Sequence, residues 1–217
     1  MPHLHKALTL AANFKQYSTI MKIILTLLIS LIFGTTILGQ VISYDDFKTV
    51  IPFLQKEDFK GAFEKTSKLL VVTENDSSDL RGIVTYMNIF SSAGMVTLDQ
   101  MTHDDFLKNA NKYLGQKVLM SAHPFVDSSS QSYNSLKLTM QDGTLQGMTI
   151  TANNSKTNIL CFEYFKYVDK INPADFIGKN VRSGGILESL EINPNKSKIW
   201  ISRLHITNAF ARVMTPR

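Results

Sequence analysis

The chain has 217 residues, 23 basic and 18 acidic side chains and 44 % apolar residues, an ordinary globular composition. Three of the lysines and none of the acids fall in the first 40 residues, so the formal charge drops from +5 to +2 when that segment is set aside. What remains has no dense basic footprint for nucleic acid and, with Cys161 as the single cysteine, no internal disulfide, so stability must come from burial.

Residues 1–20 carry no acidic residue and no periodic pattern, and read as an upstream start or tail ahead of a start at Met21. Residues 21–40, "MKIILTLLISLIFGTTILGQ", have the order a secretory signal peptide needs. Lys22 is the positive end, Ile23 to Phe33 form an apolar run broken by Thr26 and Ser30, and Gly34 to Gly39 are mostly small. The run is shorter than the roughly 18–20 residues that span a bilayer. It predicts cleavage beside Gly39 or Gln40 and an exported, periplasmic or secreted product; the alternative is a membrane anchor through residues 23–39.

From 41 to 114 the apolar residues recur with helical spacing. Phe47, Val50, Ile51 and Leu54 form one group, and Phe59, Ala62, Phe63, Thr66, Leu69 and Leu70 a second. Leu80, Ile83, Val84, Met87 and Phe90, then Phe106, Ala110, Tyr113 and Leu114, complete four predicted helices. Ser43 in "SYDD", Ser77 or Ser78 before Asp79, and Thr102 in "THDD" are helix caps, with aspartates at the positive helix ends. Capping also accounts for His103-Asp104-Asp105 more simply than a metal site. Short connections predict antiparallel neighbours. The stretch "FLQKEDFKGAFEKTSKLL", with Phe53 and Ala62 at packing positions, resembles one tetratricopeptide-type hairpin.

After residue 115 the period becomes two. Leu136, Leu138 and Met140 alternate with Lys137, Thr139 and Gln141, and Met148, Ile150 and Ala152 with Thr149 and Thr151, across the hairpin signal Asp142-Gly143. "NVRSGGILESLEI" and "KIWISRLHI" form a second pair around "NPNKS", with a bulge or bend at Gly184-Gly185. Between the pairs, "ILCFEYFKYV" is ambiguous between strand and helix.

Leu114-Gly115-Gln116-Lys117-Val118 and Ile177-Gly178-Lys179-Asn180-Val181 share a glycine-led entry to a strand. The second follows Asn172-Pro173-Ala174-Asp175-Phe176, a cap, a first-turn proline and a short helix. The order strand, strand, strand, short helix, strand, strand resembles an oligonucleotide/oligosaccharide-binding (OB) barrel over residues 115–208. The expected fold is therefore α+β: an antiparallel helical segment at 41–114, a small antiparallel OB-like β-barrel at 115–208, and a tail at 209–217.

OB barrels serve many purposes, so the resemblance transfers no activity. Residues 136–152 lack the aromatic platforms of a single-strand nucleic-acid binder, having only Tyr133 nearby. The aromatics gather instead at Phe162, Tyr164, Phe165 and Tyr167, where core packing is the simpler role and a ligand shelf the functional one. The candidate ligand-binding residues are Phe162, Tyr164, Tyr167, Lys137 and Arg203. Lys179, Arg182, Lys196, Lys198, Arg203, Arg212 and Arg217 read as a solvated basic surface. No metal-ligand spacing, nucleophile elbow or phosphate loop is present, so no metal, cofactor or catalytic residue is assigned. The favoured function is an exported, non-enzymatic binding or scaffolding protein with a protein, peptide or glycan partner. A nucleic-acid-binding OB protein is one alternative, and an enzyme using His123, His205 and Glu163 another.

Overall fold

The structure, a computed structural model, describes residues 40–126, 133–141 and 144–214. The leader reading therefore lies outside the described residues except for Gln40, as does the Asp142-Gly143 turn. Among the described residues no helix is long and apolar enough to cross a membrane.

The helical part contains α1 (Tyr44–Lys48), α2 (Ile51–Gln55), α3 (Phe59–Val72), α4 (Asp79–Thr97) and α5 (His103–Ala110). The first predicted helix is split into α1 and α2. Pro52, in the first turn of α2, has no amide to continue a helical ladder from the preceding turn. Ser43 makes a reciprocal capping box with Asp46, Ser78 accepts from the Arg81 amide, and Thr102 accepts from the Asp105 amide. Each of these chain entries is thus fixed by a side-chain oxygen that satisfies an otherwise orphaned amide.

Helix α4 is buried around most of its circumference, from Gly82 to Val96. It passes between α3 and α5 on one side and the sheet on the other. Gly94 permits the close approach of α3, because a Cβ there would lie 2.3 Å from the Phe59 ring. Thr85 Oγ1 is buried without a partner, but Asn88, Ser91 and Ser92 on α4 are hydrogen-bonded. Asn88 Nδ2 donates to Thr66 Oγ1 and Ser67 Oγ, both at 2.9 Å, while its Oδ1 accepts from Asn109 Nδ2 and the Tyr113 hydroxyl, both at 3.0 Å. One buried amide therefore ties three helices together.

The sheet contains β1 (Lys117–Leu119), β2 (His123–Pro124), β3 (Leu136–Gln141), β4 (Thr144–Ala152), β5 (Ile159–Tyr167), β6 (Asn180–Ile192) and β7 (Trp200–Val213). Its order is β1-β6-β7-β5-β4-β3, with β2 also on β6. The ambiguous aromatic stretch is the strand β5. The glycine-led entries behave alike, with Gly115 at φ +76° and Gly178 at φ +70°, a region glycine occupies without steric cost. The register shift between Gly184 and Ile186 is the expected bulge. A side chain at Gly185 would meet the Thr207 carbonyl oxygen at 2.5 Å.

The α+β class stands, but the closed antiparallel barrel does not. β5 and β7 pair in parallel, and the sheet is mixed and open from β1 to β3. Between its two ends the described residues contribute only an isolated bridge, Phe125 to Leu136. Period-two alternation shows which side chains share a face and leaves the neighbouring strand unspecified. A parallel partner reached across residues 168–199 has no local hairpin signal. The expected tail at 209–217 is also corrected: β7 continues to Val213, held by Val181↔Val213 and Arg182↔Arg212 against the start of β6. One hydrophobic cluster contains Phe59, Ile89 and Phe106 from the helices and Leu136, Leu160, Phe165 and Leu204 from the sheet. Helices and strands thus share a core, and a second, smaller cluster joins Val50, Ala62, Ile83 and Met87 to Leu119.

Candidate functional site

Alternation along the strands sorts side chains between two faces. The inner face, under α4, takes Leu136, Leu138, Thr149, Cys161, Glu163, Phe165, Leu204 and Ile206, all buried. The outer face takes the alternate residues in two cross-strand rows. Lys137, Met148, Tyr164 and His205 lie side by side on β3, β4, β5 and β7. In the next row Ile150, Phe162, Arg203 and Glu191 lie on β4, β5, β7 and β6. These positions are half-buried or, at Glu191, exposed.

The rows carry an aromatic and ionic cluster. The rings of Tyr164 and His205 are stacked, with centroids 5.3 Å apart and planes 13° from parallel. Phe162 meets Trp200 edge-on at 6.0 Å, and the Arg203 guanidinium lies 4.7 Å from the centre of the Trp200 ring. Glu191 is 3.9 Å from Arg203 Nη1 and 3.7 Å from His205 Nε2. Four of the five sequence candidates, Phe162, Tyr164, Lys137 and Arg203, therefore share this face. Lys137 stands three strand spacings from β7, roughly 15 Å away.

Tyr167 does not join them. Two positions beyond Phe165 on β5, it falls on the same inner side, with its ring 6.2 Å from that of Phe165. Its hydroxyl lies 2.9 Å from Ser183 Oγ, and its ring occupies the space a side chain at Gly147 would need. Burial pushes its phenol up to about 12. Trp200 and Glu191 were missed by the sequence reading. The signal available for Trp200 was its place beside the loop "NPNKS" at the head of an alternating strand.

The inner face holds a second polar cluster. Glu163 is fully buried, accepts from the Tyr86 hydroxyl at 2.6 Å through Oε1 and from the Thr149 hydroxyl at 2.6 Å through Oε2. Thr151 Oγ1 is 3.3 Å from the Tyr86 oxygen. Burial raises the carboxyl to about 7 against the opposing effect of these hydrogen bonds, and it pushes the Tyr86 phenol and the adjacent Cys161 thiol well up. Glu163 and His205 point to opposite faces of the sheet, while His123 Nδ1 is 3.0 Å from the Asn134 carbonyl oxygen. The three candidates for an enzymatic site are not assembled around one cleft. Among the described residues no group of three or more His, Cys, Asp or Glu side chains converges to hold a metal ion.

No protein-family model, curated protein or solved structure matches the chain.

Proposed function

We propose that this chain is an exported, non-catalytic binding module that recognises a glycan through the outer face of its sheet. The observation that carries this reading is the convergence of Phe162, Trp200, Tyr164, His205, Arg203 and Lys137 on one half-exposed face, with aromatic bodies and cationic ends both present. Aromatic surface combined with a few fixed polar groups is the common chemistry of ligand recognition. The location within the sheet favours a glycan over an extended peptide. β4, β5 and β7 are interior strands whose backbone groups already pair on both sides, so a peptide has no free edge there to extend. Nucleic acid is disfavoured because the rows offer Lys137 and Arg203 with Glu191 opposing them, too little charge to follow a phosphate chain.

The leader grammar of residues 21–40 supports export.

Trp200 is the only tryptophan, so its emission reports directly on this face. The full chain and a Tyr164→Ala variant are titrated with cellotetraose, chitotetraose and tetragalacturonate. A saturable change with at least one sugar that is lost in Tyr164→Ala is expected. No response to any of the three would overturn the reading.

A further inference from the structure

Arg203 is a cation at the centre of the aromatic cluster whose bonding capacity is largely unused among the described residues. Its guanidinium stacks on Trp200, and its nearest carboxylate oxygen, on Glu191, is 3.9 Å away, beyond hydrogen-bond distance. Its Nε is buried without a partner, although the side chain as a whole is 43 % exposed. A guanidinium carries five donors in a flat fork, and a buried donor without an acceptor costs free energy. Stacking on an indole fixes the plane of the fork in advance, which reduces the ordering needed when a planar acceptor arrives.

Resting on the glycan-binding reading, we infer that Arg203 receives a carboxylate, so that the ligand is a uronic-acid-bearing glycan in which one acidic group meets the guanidinium and the neighbouring rings lie against Phe162 and Tyr164. Three features define this chemistry. Two parallel N–H···O bonds from one arginine match a carboxylate. Glu191 competes for the same cation, so the site selects a ligand acid that makes the short hydrogen bonds Glu191 does not. The two rows supply apolar and aromatic area with Lys137 as their only other lysine or arginine, which suits hydroxyl-rich sugar rings carrying widely spaced charge. This is a charge-assisted contact at one point, unlike the repeated phosphate contacts of a nucleic acid.

The test compares tetragalacturonate, cellotetraose and the oligonucleotide dT12 by calorimetry and Trp200 emission on the full chain, with Arg203→Lys and Glu191→Gln variants checked for folding by circular dichroism. Tetragalacturonate is expected to bind at least about tenfold tighter than cellotetraose, the order of one charge-assisted bidentate contact. Arg203→Lys keeps the charge and loses the fork, and is expected to weaken tetragalacturonate by about tenfold and cellotetraose by less, so that the preference between the two sugars is removed. Glu191→Gln removes the competitor and is expected to tighten tetragalacturonate by about threefold, a gain that a purely structural role for Arg203 would not produce.

Equal affinity for the two sugars would overturn the carboxylate assignment and leave the glycan reading standing. Failure of every sugar would overturn both. Tighter binding of dT12 with a steep loss of affinity in salt would overturn the glycan assignment in favour of single-stranded nucleic acid.

Discussion

Replacing Glu163 by glutamine is expected to change how stability depends on pH. The wild-type carboxyl is held at about 7 in the folded chain, against an ordinary value of 4.5, chiefly because burial penalises the charged form. A raised folded-state value means that its contribution is fully present below the unfolded value, about 4.5, and is lost progressively as pH rises to about 7. Above that pH the fold must hold a buried carboxylate with no cationic partner among the groups that bond it. The difference of about 2.5 units corresponds to roughly 3 kcal/mol between pH 4.5 and pH 8. Glutamine does not titrate, and its amide can exchange hydrogen bonds with the Tyr86 and Thr149 hydroxyls, which donate or accept by rotation. Urea unfolding of both proteins at intervals from pH 4.5 to 8 measures the effect. The stability of Glu163→Gln relative to wild type should improve by about 3 kcal/mol across this range, or about 6–12 °C in Tm for a domain of this size. Asp46, Asp76 and Asp79, whose carboxyls are held below their ordinary value, titrate on the acid side in both proteins and cancel in the difference. Parallel pH profiles would refute the argument that Glu163 is buried and uncompensated.

Asn88→Ala removes the acceptor of Asn109 Nδ2 and of the Tyr113 hydroxyl inside the helical layer, and should lower unfolding free energy by roughly 2–4 kcal/mol in urea titrations. Gly94→Ala drives a methyl into the Phe59 ring and should cost about 1–3 kcal/mol, with a partial recovery in the double variant Gly94→Ala/Phe59→Leu. Ser78→Ala removes the N-cap of α4 and should cost about 1 kcal/mol, whereas Lys198→Ala, which breaks an exposed ion pair with Asp99, should change stability by less than about 1 kcal/mol.

The helical layer was legible because its determinants are local. Ser43, Ser78 and Thr102 sit one position before the helices they cap, and the apolar spacing after each one identifies the buried stripe. Alternation likewise placed Lys137 on the face opposite Leu136 and Leu138 of its strand, whereas "ILCFEYFKYV" stayed ambiguous between strand and helix, and only the structure puts Phe162 and Tyr164 on the same face as Lys137. The partner of β5 was not legible, because its parallel neighbour lies beyond another hairpin and pairs through backbone groups that carry no residue signature. Tyr167 was misplaced because it was grouped with Phe162 and Tyr164 as an aromatic, although in a strand its odd spacing from both puts it with Phe165 on the inner face. Trp200 and Arg203 meet through the slope of a single strand end, and Glu191 reaches them only through the register of β6 on β7. The fully buried state of Glu163 depends on α4 closing over it, a long-range event joining residues 77 positions apart.

The position of β7 has a consequence for how the chain acquires its structure. It is the last described strand, yet it lies in the middle of the sheet, between β6 and β5. Until its residues emerge from the ribosome, the three-stranded β3-β4-β5 meander and the β6 strand have no common neighbour, and the sheet remains in two pieces with exposed edges. Pairings of high contact order form slowly and late. A truncation within residues 200–213 therefore removes the seam of the sheet instead of trimming its border.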